Sequence, residues 1–462
     1  MLISGNEYRE RVESYDRAVY VRGSKSNLSH PNLQPVVNAI AYTYDLALEK
    51  SFKVNSAISG EEVNILNHVI TSREELMLRY DYQRLLSMNL ATCNYRCTGS
   101  DAINALYASL EGESKEKLER ILIEIQKKDF ACTAALTDPK GDRSKRPVEE
   151  KEMYVRVVRE DSDGVYISGA KIHQSGAFAA DLTFVLPTQT FKEGEEDFAI
   201  VFAIEAEDDV KYVLQNTGYQ ALFREEGEVE KGNPAYGDRI TCMVVFNETF
   251  IPWERVLIYR DLKAIRNVLT HFASSHRCVG AACKAGFIDS MVGAASLMMK
   301  ANGLEKAPAL RYKLGEMIAA SEAAYGIAAG GAFKGKAANG VWLPNPLIAN
   351  AGKVIGVEGM AKAMLNLSEI AGGIPVTAPS EDDLKSEIGE LVAKYLRGSK
   401  SFTPEQRLKI IKFIEFWLTS SHFVGAVHGG GSPSAALIFL QILADIESKE
   451  EAVKRNINIL DI

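Results

Sequence analysis

Glu152-Met-Tyr-Val-Arg-Val-Val158, Gly164-Val-Tyr-Ile-Ser-Gly-Ala170, Asp181-Leu-Thr-Phe-Val-Leu-Pro-Thr188, Phe198-Ala-Ile-Val-Phe-Ala-Ile204 and Cys242-Met-Val-Val-Phe246 are the runs that decide the fold. Each is short and rich in β-branched and aromatic residues. Gly, Pro, Asp and Asn punctuate them, as they do strands joined by turns. Together they predict an antiparallel β-domain from about Thr137 to Arg260. The pattern on either side is helical. Upstream, the stretch Leu76 to Leu90, with Leu78, Leu85, Leu86 and Met88 between, suits a largely buried helix better than a strand. Downstream, from about Asp261, long Ala-rich segments run to the end. Helices, then strands, then helices make an α+β chain of three blocks. These are an N-terminal helical domain over 1–135, a middle antiparallel β-domain over 136–262 and a C-terminal helical bundle over 263–462.

Composition narrows the function. The 462 residues are 46% hydrophobic and 25% charged, the usage of soluble globular proteins. A net charge of -8 repels phosphate backbones, so nucleic acid is not an expected partner. The start, MLISGNEYRE, lacks the basic residues and apolar run of a signal peptide. No uncharged apolar stretch approaches the roughly 18 residues needed to cross a bilayer. No membrane association is expected, and the expected compartment is the cytoplasm. In such a chain six cysteines are not a disulfide framework. They are Cys93, Cys97, Cys132, Cys242, Cys278 and Cys283.

Two glycine features mark helix ends. Ala371-Gly372-Gly373 closes one helix, and Ser380-Glu381-Asp382-Asp383 opens the next as a capping-box variant. In His428-Gly429-Gly430-Gly431-Ser432-Pro433, Ser432 suits an N-cap and Pro433 the first helical position. Glycines at such a place let a ligand's anionic part approach backbone N–H groups; a plain turn before a capped helix explains them as well. Gly330 to Lys336 has phosphate-loop spacing, but Ala337 replaces the magnesium-binding Ser/Thr and the stretch lies in a helical pattern. It is not a P-loop.

Cys93 and Cys97, four residues apart, share a face of any helix that carries them, and so do His276 and Cys283, seven apart. Bringing the two faces together collects three thiols and an imidazole. That soft donor set suits an iron–sulfur cluster or a structural zinc. Zinc knuckles use tighter turns, so the helical spacing leans towards a cluster with its imidazole-held iron open to substrate. The other reading makes these cysteines small apolar core residues. Cys278 points about 200° away from His276 round the helix and is a bystander.

The segments Cys93-x3-Cys97, Ala135-Leu-Thr-Asp-Pro-Lys-Gly-Asp-Arg143, Gly169-Ala-Lys-Ile-His-Gln-Ser-Gly176, His276-x6-Cys283-Lys284, Ala371-Gly-Gly373 and His428-Gly-Gly-Gly-Ser-Pro433 resemble, in order and over most of the chain, the 4-hydroxybutyryl-CoA dehydratase family. That family shares the acyl-CoA dehydrogenase-like fold with the 4-hydroxyphenylacetate 3-hydroxylases. The resemblance implies a [4Fe–4S] cluster on Cys93, Cys97, His276 and Cys283. It also implies FAD contacts from Leu136, Thr137, Asp138, Lys140, Asp142 and Arg143, and from Lys171, His173, Gln174 and Ser175. Gly372, Gly373, His428 and Gly429 would complete the flavin site, partly across a subunit boundary of a homotetramer. His276 and Lys284 are the implied catalytic residues.

The implied function is an oxygen-sensitive, radical-type lyase: an FAD- and [4Fe–4S]-dependent dehydratase or double-bond isomerase acting on a small molecule, possibly a CoA thioester. The chain departs from the family's reference enzyme at three acid–base positions. A tyrosine there matches Gly280 here, and two glutamates match Thr241 and Gly425. A substrate other than 4-hydroxybutyryl-CoA is therefore expected. Two alternatives are a two-component flavin monooxygenase acting on a phenol, which gives the four cluster positions no job, and a flavin/iron–sulfur protein without dehydratase chemistry.

Overall fold

The computed structural model describes residues 2–215 and 227–459. The β-rich runs form two sheets. The first, in the order β2-β1-β10-β11-β7-β6, contains β1 (Ala18–Val21), β2 (Ser24–Ser26), β6 (Arg156–Glu160), β7 (Gly164–Ser175), β10 (Val210–Leu214) and β11 (Thr241–Pro252). The second, in the order β12-β9-β8-β5, contains β5 (Cys132–Ala135), β8 (Leu182–Val185), β9 (Ile200–Glu205) and β12 (Val256–Tyr259). Two small hairpins, β3 (Lys53–Asn55) with β4 (Glu62–Asn64) and β13 (Lys336–Ala338) with β14 (Val341–Leu343), lie outside them.

The expectation of a wholly antiparallel domain needs correction. β1 runs parallel to β10, and β5 runs parallel to β8. A parallel pair needs a long crossover, and the chain between β5 and β8 supplies one by making β6 and β7 of the other sheet. The sheets also draw strands from before residue 136. The longest pairing, β7 with β11, sets Ser175 opposite Thr241 and Lys171 opposite Val244. That register carries the ends of both strands to the edge where the site forms.

The helices are α1 (Gly5–Glu13), α2 (Gln34–Lys50), α3 (Arg73–Leu90), α4 (Cys97–Ser109), α5 (Gly112–Lys128), α6 (Leu262–Ala301), α7 (Pro308–Phe333), α8 (Pro346–Ala371), α9 (Glu381–Lys385), α10 (Gly389–Leu396), α11 (Pro404–Thr419), α12 (His422–His428), α13 (Pro433–Leu443) and α14 (Ile446–Asn456). The axis of the helical part is α6, 40 residues and so about 60 Å long. Asp261 caps it, accepting from the N–H groups of Lys263 and Ala264 at 2.9 and 2.8 Å. α3, α4, α7 and α8 pack around it. At Gly286 a side chain is impossible, since its Cβ would lie 2.1 Å from the Arg84 carbonyl oxygen; glycine lets α3 close on α6.

The expected caps are present. The Ser380 side chain accepts from the Asp383 N–H, and the Asp383 carboxylate returns the bond. Ser432 accepts from Ala435 ahead of Pro433. Gly372, with φ 71°, ends α8. Helix α6 is long and apolar enough to cross a bilayer, yet 67% of its most apolar window is buried in the fold, as in a core helix. All six cysteines are free thiols.

Candidate active site

Helix α3 ends where Ala91 takes left-handed backbone, with φ 51°, and helix resumes only at Cys97, the first residue of α4. Cys93 therefore lies in the connecting loop, which corrects the expected shared helix face. The two thiols meet all the same, because the loop is tightly turned. Tyr95 has φ 64°. The Asn94 side chain accepts from the N–H groups of Arg96 and Cys97 at 2.9 and 3.1 Å, and the Tyr95 N–H donates to Cys93 Sγ at 3.3 Å. Buried Arg96 anchors the loop through Thr43, Asn67 and the Phe130 carbonyl.

Cys283 comes from α6, and Ser87 of α3 donates to its Sγ at 3.4 Å. A hydrogen bond from Cys97 holds the Cys93 thiol below its usual range, at about 6, with Arg239 adding to the effect. The same bond pushes Cys97 up. Burial pushes Cys283 up, and it feels the charge of Cys93. Cys93, Cys97 and Cys283 are each half-buried, whereas Cys132, Cys242 and Cys278 are buried.

His276 stands on the same helix as Cys283, with Nδ1 2.8 Å from Asp101 Oδ2. Asp101 is fully buried and also pairs with Arg79 at 2.6 Å. Nδ1–H therefore donates to the carboxylate and Nε2 is left as the acceptor, the orientation that carboxylates impose on metal-binding histidines. The sequence reading missed Asp101. Its signal was there, since it follows Cys97 by four residues on α4 and shares its face.

The first implied flavin segment follows β5. Asp138 and Lys171, each 2% exposed, form a 2.7 Å ion pair. Lys171 also donates to the Leu136 carbonyl at 2.9 Å, and the Ile172 N–H donates to the Thr137 carbonyl at 2.7 Å. These groups are committed to each other and clamp the ends of β5 and β7 together. Leu136, Thr137 and Lys140 remain half-buried at the edge, with Asp142 and Arg143 exposed beyond them. Lys140, Arg143, Lys145, Arg146 and Lys192 line a cavity of about 380 Å³, a cationic concavity that suits a phosphate-bearing tail. At the end of β7, His173 takes φ 61°, and its pKa is lowered by burial and by the charges of Arg239 and His428. The end of β7 and the His428 loop thus come together within one chain.

That loop is pinned from below. Lys353 of α8, 1% exposed, donates to the carbonyls of Ala426, Val427 and Gly429 at 2.9, 2.8 and 2.6 Å. Arg277 donates to the Gly430 carbonyl at 3.1 Å. A Cβ on Gly430 would lie 3.3 Å from His276 Cδ2, so the glycine loop lies against the histidine. Gly372 and Gly373 are elsewhere. α8 passes Lys284 at Gly356, and Gly372 lies 16 residues further on, about 24 Å along the helix.

The three departures also find their places. A Cβ on Gly280 would meet only the Lys284 ammonium, at 3.5 Å, and Lys284 donates to the Gly280 carbonyl at 3.2 Å. Burial lowers the Lys284 pKa, and the nearby Cys283 opposes that shift. Thr241 begins β11 beside Ser175. A Cβ on Gly425 would lie 2.5 Å from Arg239 Nη1, so an arginine fills the space where a side chain would project. Arg239, Lys353 and Arg277 were not legible beforehand, because each acts through residues far away in the chain.

Among the described residues no three of His, Cys, Asp and Glu converge closely enough to hold a single metal ion. A cluster asks for something different, because its four ligands are spread over four irons. Three half-buried thiols in mutual electrostatic contact, with one histidine oriented by a carboxylate, fit that demand in number, type and exposure. The edge formed by β5, β7 and the His428 loop likewise fits a flavin.

Family models described as 4-hydroxyphenylacetate 3-hydroxylase N terminal and C terminal match residues 4–258 and 265–458. A 4-hydroxybutyryl-CoA dehydratase/vinylacetyl-CoA-Delta-isomerase from Clostridium aminobutyricum is 31% identical over 98% of this chain and 99% of its own. The structure superposes on an oxygen-tolerant archaeal 4-hydroxybutyryl-CoA dehydratase from N. maritimus with a TM-score of 0.96, at 31% identity, covering 100% of this chain and 96% of the other. It matches the oxygenase component of 4-hydroxyphenylacetate 3-monooxygenase complexed with FAD with a TM-score of 0.87, at 20% identity over 98% of each chain. A glutaryl-coenzyme A dehydrogenase matches with a TM-score of 0.57 at 12% identity, over 95% of this chain and 94% of that one, which extends the shared fold to the acyl-CoA dehydrogenases. Matched along almost its whole length by both halves of one family model and by a dehydratase, the chain belongs to the family that contains 4-hydroxybutyryl-CoA dehydratase and the 4-hydroxyphenylacetate 3-hydroxylases.

Proposed function

We propose that this protein is an FAD- and [4Fe–4S]-dependent dehydratase or double-bond isomerase acting on an acyl thioester other than 4-hydroxybutyryl-CoA. The observation that carries the reading is that three half-buried thiols, Cys93, Cys97 and Cys283, act on one another, and that Cys97 also feels Asp101, the carboxylate that holds Nδ1 of His276. A phenol monooxygenase has no use for that donor set. The similarity to the dehydratase over 98% of the chain supports the same class and the CoA carrier.

When bound, FAD would supply one-electron oxidation of the acyl chain and the cluster a Lewis acid for the leaving hydroxyl. Cys93, Cys97, Cys283 and Nε2 of His276 would hold the cluster. The strand ends at Thr137 and Ser175 and the His428 loop would seat the flavin. Lys284 is the proton-carrying group of the cleft: burial lowers its pKa, which eases loss of its proton. Asp101 keeps the imidazole proton on Nδ1 and so leaves Nε2 free to bind.

Gly372-Gly373 lies too far along α8 to reach this flavin edge, so it would serve a neighbour's site. Exposed Leu437, Ile438 and Ile442 on α13 offer apolar surface for the assembly, at least a dimer, that this requires.

The test is an anaerobic assay of cofactor-replete protein with a series of 4-hydroxyacyl-CoA thioesters. We expect water loss from at least one of them and slow reaction of 4-hydroxybutyryl-CoA. Turnover of 4-hydroxybutyryl-CoA at about 1–10³ per second would refute the altered specificity. Oxygen-dependent hydroxylation of a phenol with reduced FAD would refute the dehydratase reading itself.

A further inference from the structure

Cys283 lies in the middle of α6, where the backbone N–H groups are committed to the helix itself. A donor for its sulfur must therefore come from a side chain of another element. Ser87 of α3 supplies one, with Oγ 3.4 Å from Sγ. The approach is close: a Cβ on Gly286 would lie 2.7 Å from Ser87 Cβ, so glycine there lets Ser87 come in beside Cys283.

Ser87 is the last of three linked side chains, each no more than 2% exposed. Asn94 Nδ2 donates to Gln83 Oε1 at 2.8 Å, and Gln83 Nε2 donates to Ser87 Oγ at 3.0 Å. The polarity of this relay is imposed at its start. The backbone N–H groups of Arg96 and Cys97 can only donate, and both meet one atom of the Asn94 amide, at 2.9 and 3.1 Å. That atom is therefore the oxygen, and the Asn94 amino group must face Gln83. Gln83 then accepts at its oxygen and donates from its nitrogen. A hydroxyl has a single proton; with Gln83 donating to Ser87, that proton goes to the sulfur.

Three buried polar side chains in a row are costly unless each is satisfied. A network that only joined α3 to α6 would be better served by ending on a carbonyl. This one directs its last donor to a thiol, a weak acceptor, and the bond strengthens when the sulfur carries thiolate charge. Asn94 also shapes the turn that carries Cys93 and Cys97. A single relay thus runs from the loop presenting two of the thiols to the sulfur of the third.

We propose that Ser87, aimed by Gln83 and Asn94, is a positioning residue that gives Cys283 Sγ its hydrogen bond and thereby raises the reduction potential of the cluster. The inference rests on the cluster reading above and names how the chain tunes that cluster. Hydrogen bonds to sulfur are among the determinants of cluster potential, and a donor's positive end favours the more negative, reduced state.

Voltammetry of the anaerobic holoprotein, with iron content measured alongside, tests this. Ser87→Ala should keep its iron and lower the one-electron reduction equilibrium constant by roughly three- to tenfold, the scale of one hydrogen bond. Tenfold is about 59 mV for a one-electron couple. Gln83→Met, close in shape and uncharged, leaves the hydroxyl in place but unaimed, and should lower the potential by less. Pulsed EPR of the reduced cluster should show one exchangeable proton fewer in Ser87→Ala than in the wild type. A cluster potential in Ser87→Ala equal to that of the wild type overturns the proposal. If Ser87→Ala does not hold iron, Gln83→Met decides: a lowered potential sustains the relay, and an unchanged one overturns it. Wild-type protein without iron would refute the cluster reading itself, and the proposal with it.

Discussion

Cys93, Cys97 and Cys283 share a residue type with Cys132, Cys242 and Cys278 and little else. The second set is wholly buried, each thiol turned to a nearby carbonyl, that of Phe130, Gln174 or Ala328. Burial pushes Cys242 and Cys278 up to about 12 and Cys132 higher still, so these sulfurs stay protonated and act as small apolar groups. The first set is half-buried and gathered from three elements into one cleft. Donors reach two of its sulfurs, from Tyr95 to Cys93 and from Ser87 to Cys283; Cys93 is held below its usual range by the bond from Cys97, while burial pushes Cys283 up and the charges of Lys284 and Arg239 offset only part of that. Ligand capacity thus follows from what surrounds the sulfur, a thiolate being the form that binds metal.

The contrast is broken most sharply by truncating one thiol from each set. Cys97→Ala should strip essentially all the iron from the protein while flavin stays bound, because the flavin contacts lie on β5, β7 and the His428 loop. Cys278→Ala should leave the iron content unchanged. Iron analysis of the two variants checks this, and a full iron complement in Cys97→Ala would erase the distinction between the sets.

A smaller effect is expected one step outside the ligands. Asp101→Asn keeps the shape but no longer fixes the proton on His276 Nδ1 and leaves Arg79 without its charge partner. Iron affinity should fall by about 10–100-fold, measured by competition with a chelator. An unaltered affinity would mean that His276 is not held for metal binding by Asp101. The smallest effect belongs to the buried set. Cys278→Ala should cost about 1 kcal/mol of stability in a denaturant titration, a packing loss beside Gly331 and Tyr80 with no effect on iron.

How much of this was legible beforehand depended on how local the physics is. The runs that became β6, β7, β8, β9 and β11 announce themselves by composition, and Ser432 and Ser380 cap the helices that follow them. β5 did not announce itself: Cys132-Thr-Ala-Ala135 carries little strand character, and pairing with β8 makes it a strand. The Cys93 and Cys97 pair was legible as a pair, but not as a loop and a helix start. Left-handed backbone at Ala91 and Tyr95, at residues with no special preference for it, is set by the buried anchorage of Arg96. Gly280 and Gly425 were visible only as absences. Lys284 and Arg239 fill their places through contacts that arise once the chain has folded.

The central claim is that the cysteine–histidine cleft holds a cluster beside a flavin. Its most direct test is the iron, acid-labile sulfide and flavin content of the anaerobically purified protein, read together with its absorption and EPR spectra. The account predicts about four irons and about four sulfides per chain, together with stoichiometric FAD. A full complement of FAD with neither iron nor sulfide would contradict it and return the chain to the flavin monooxygenases.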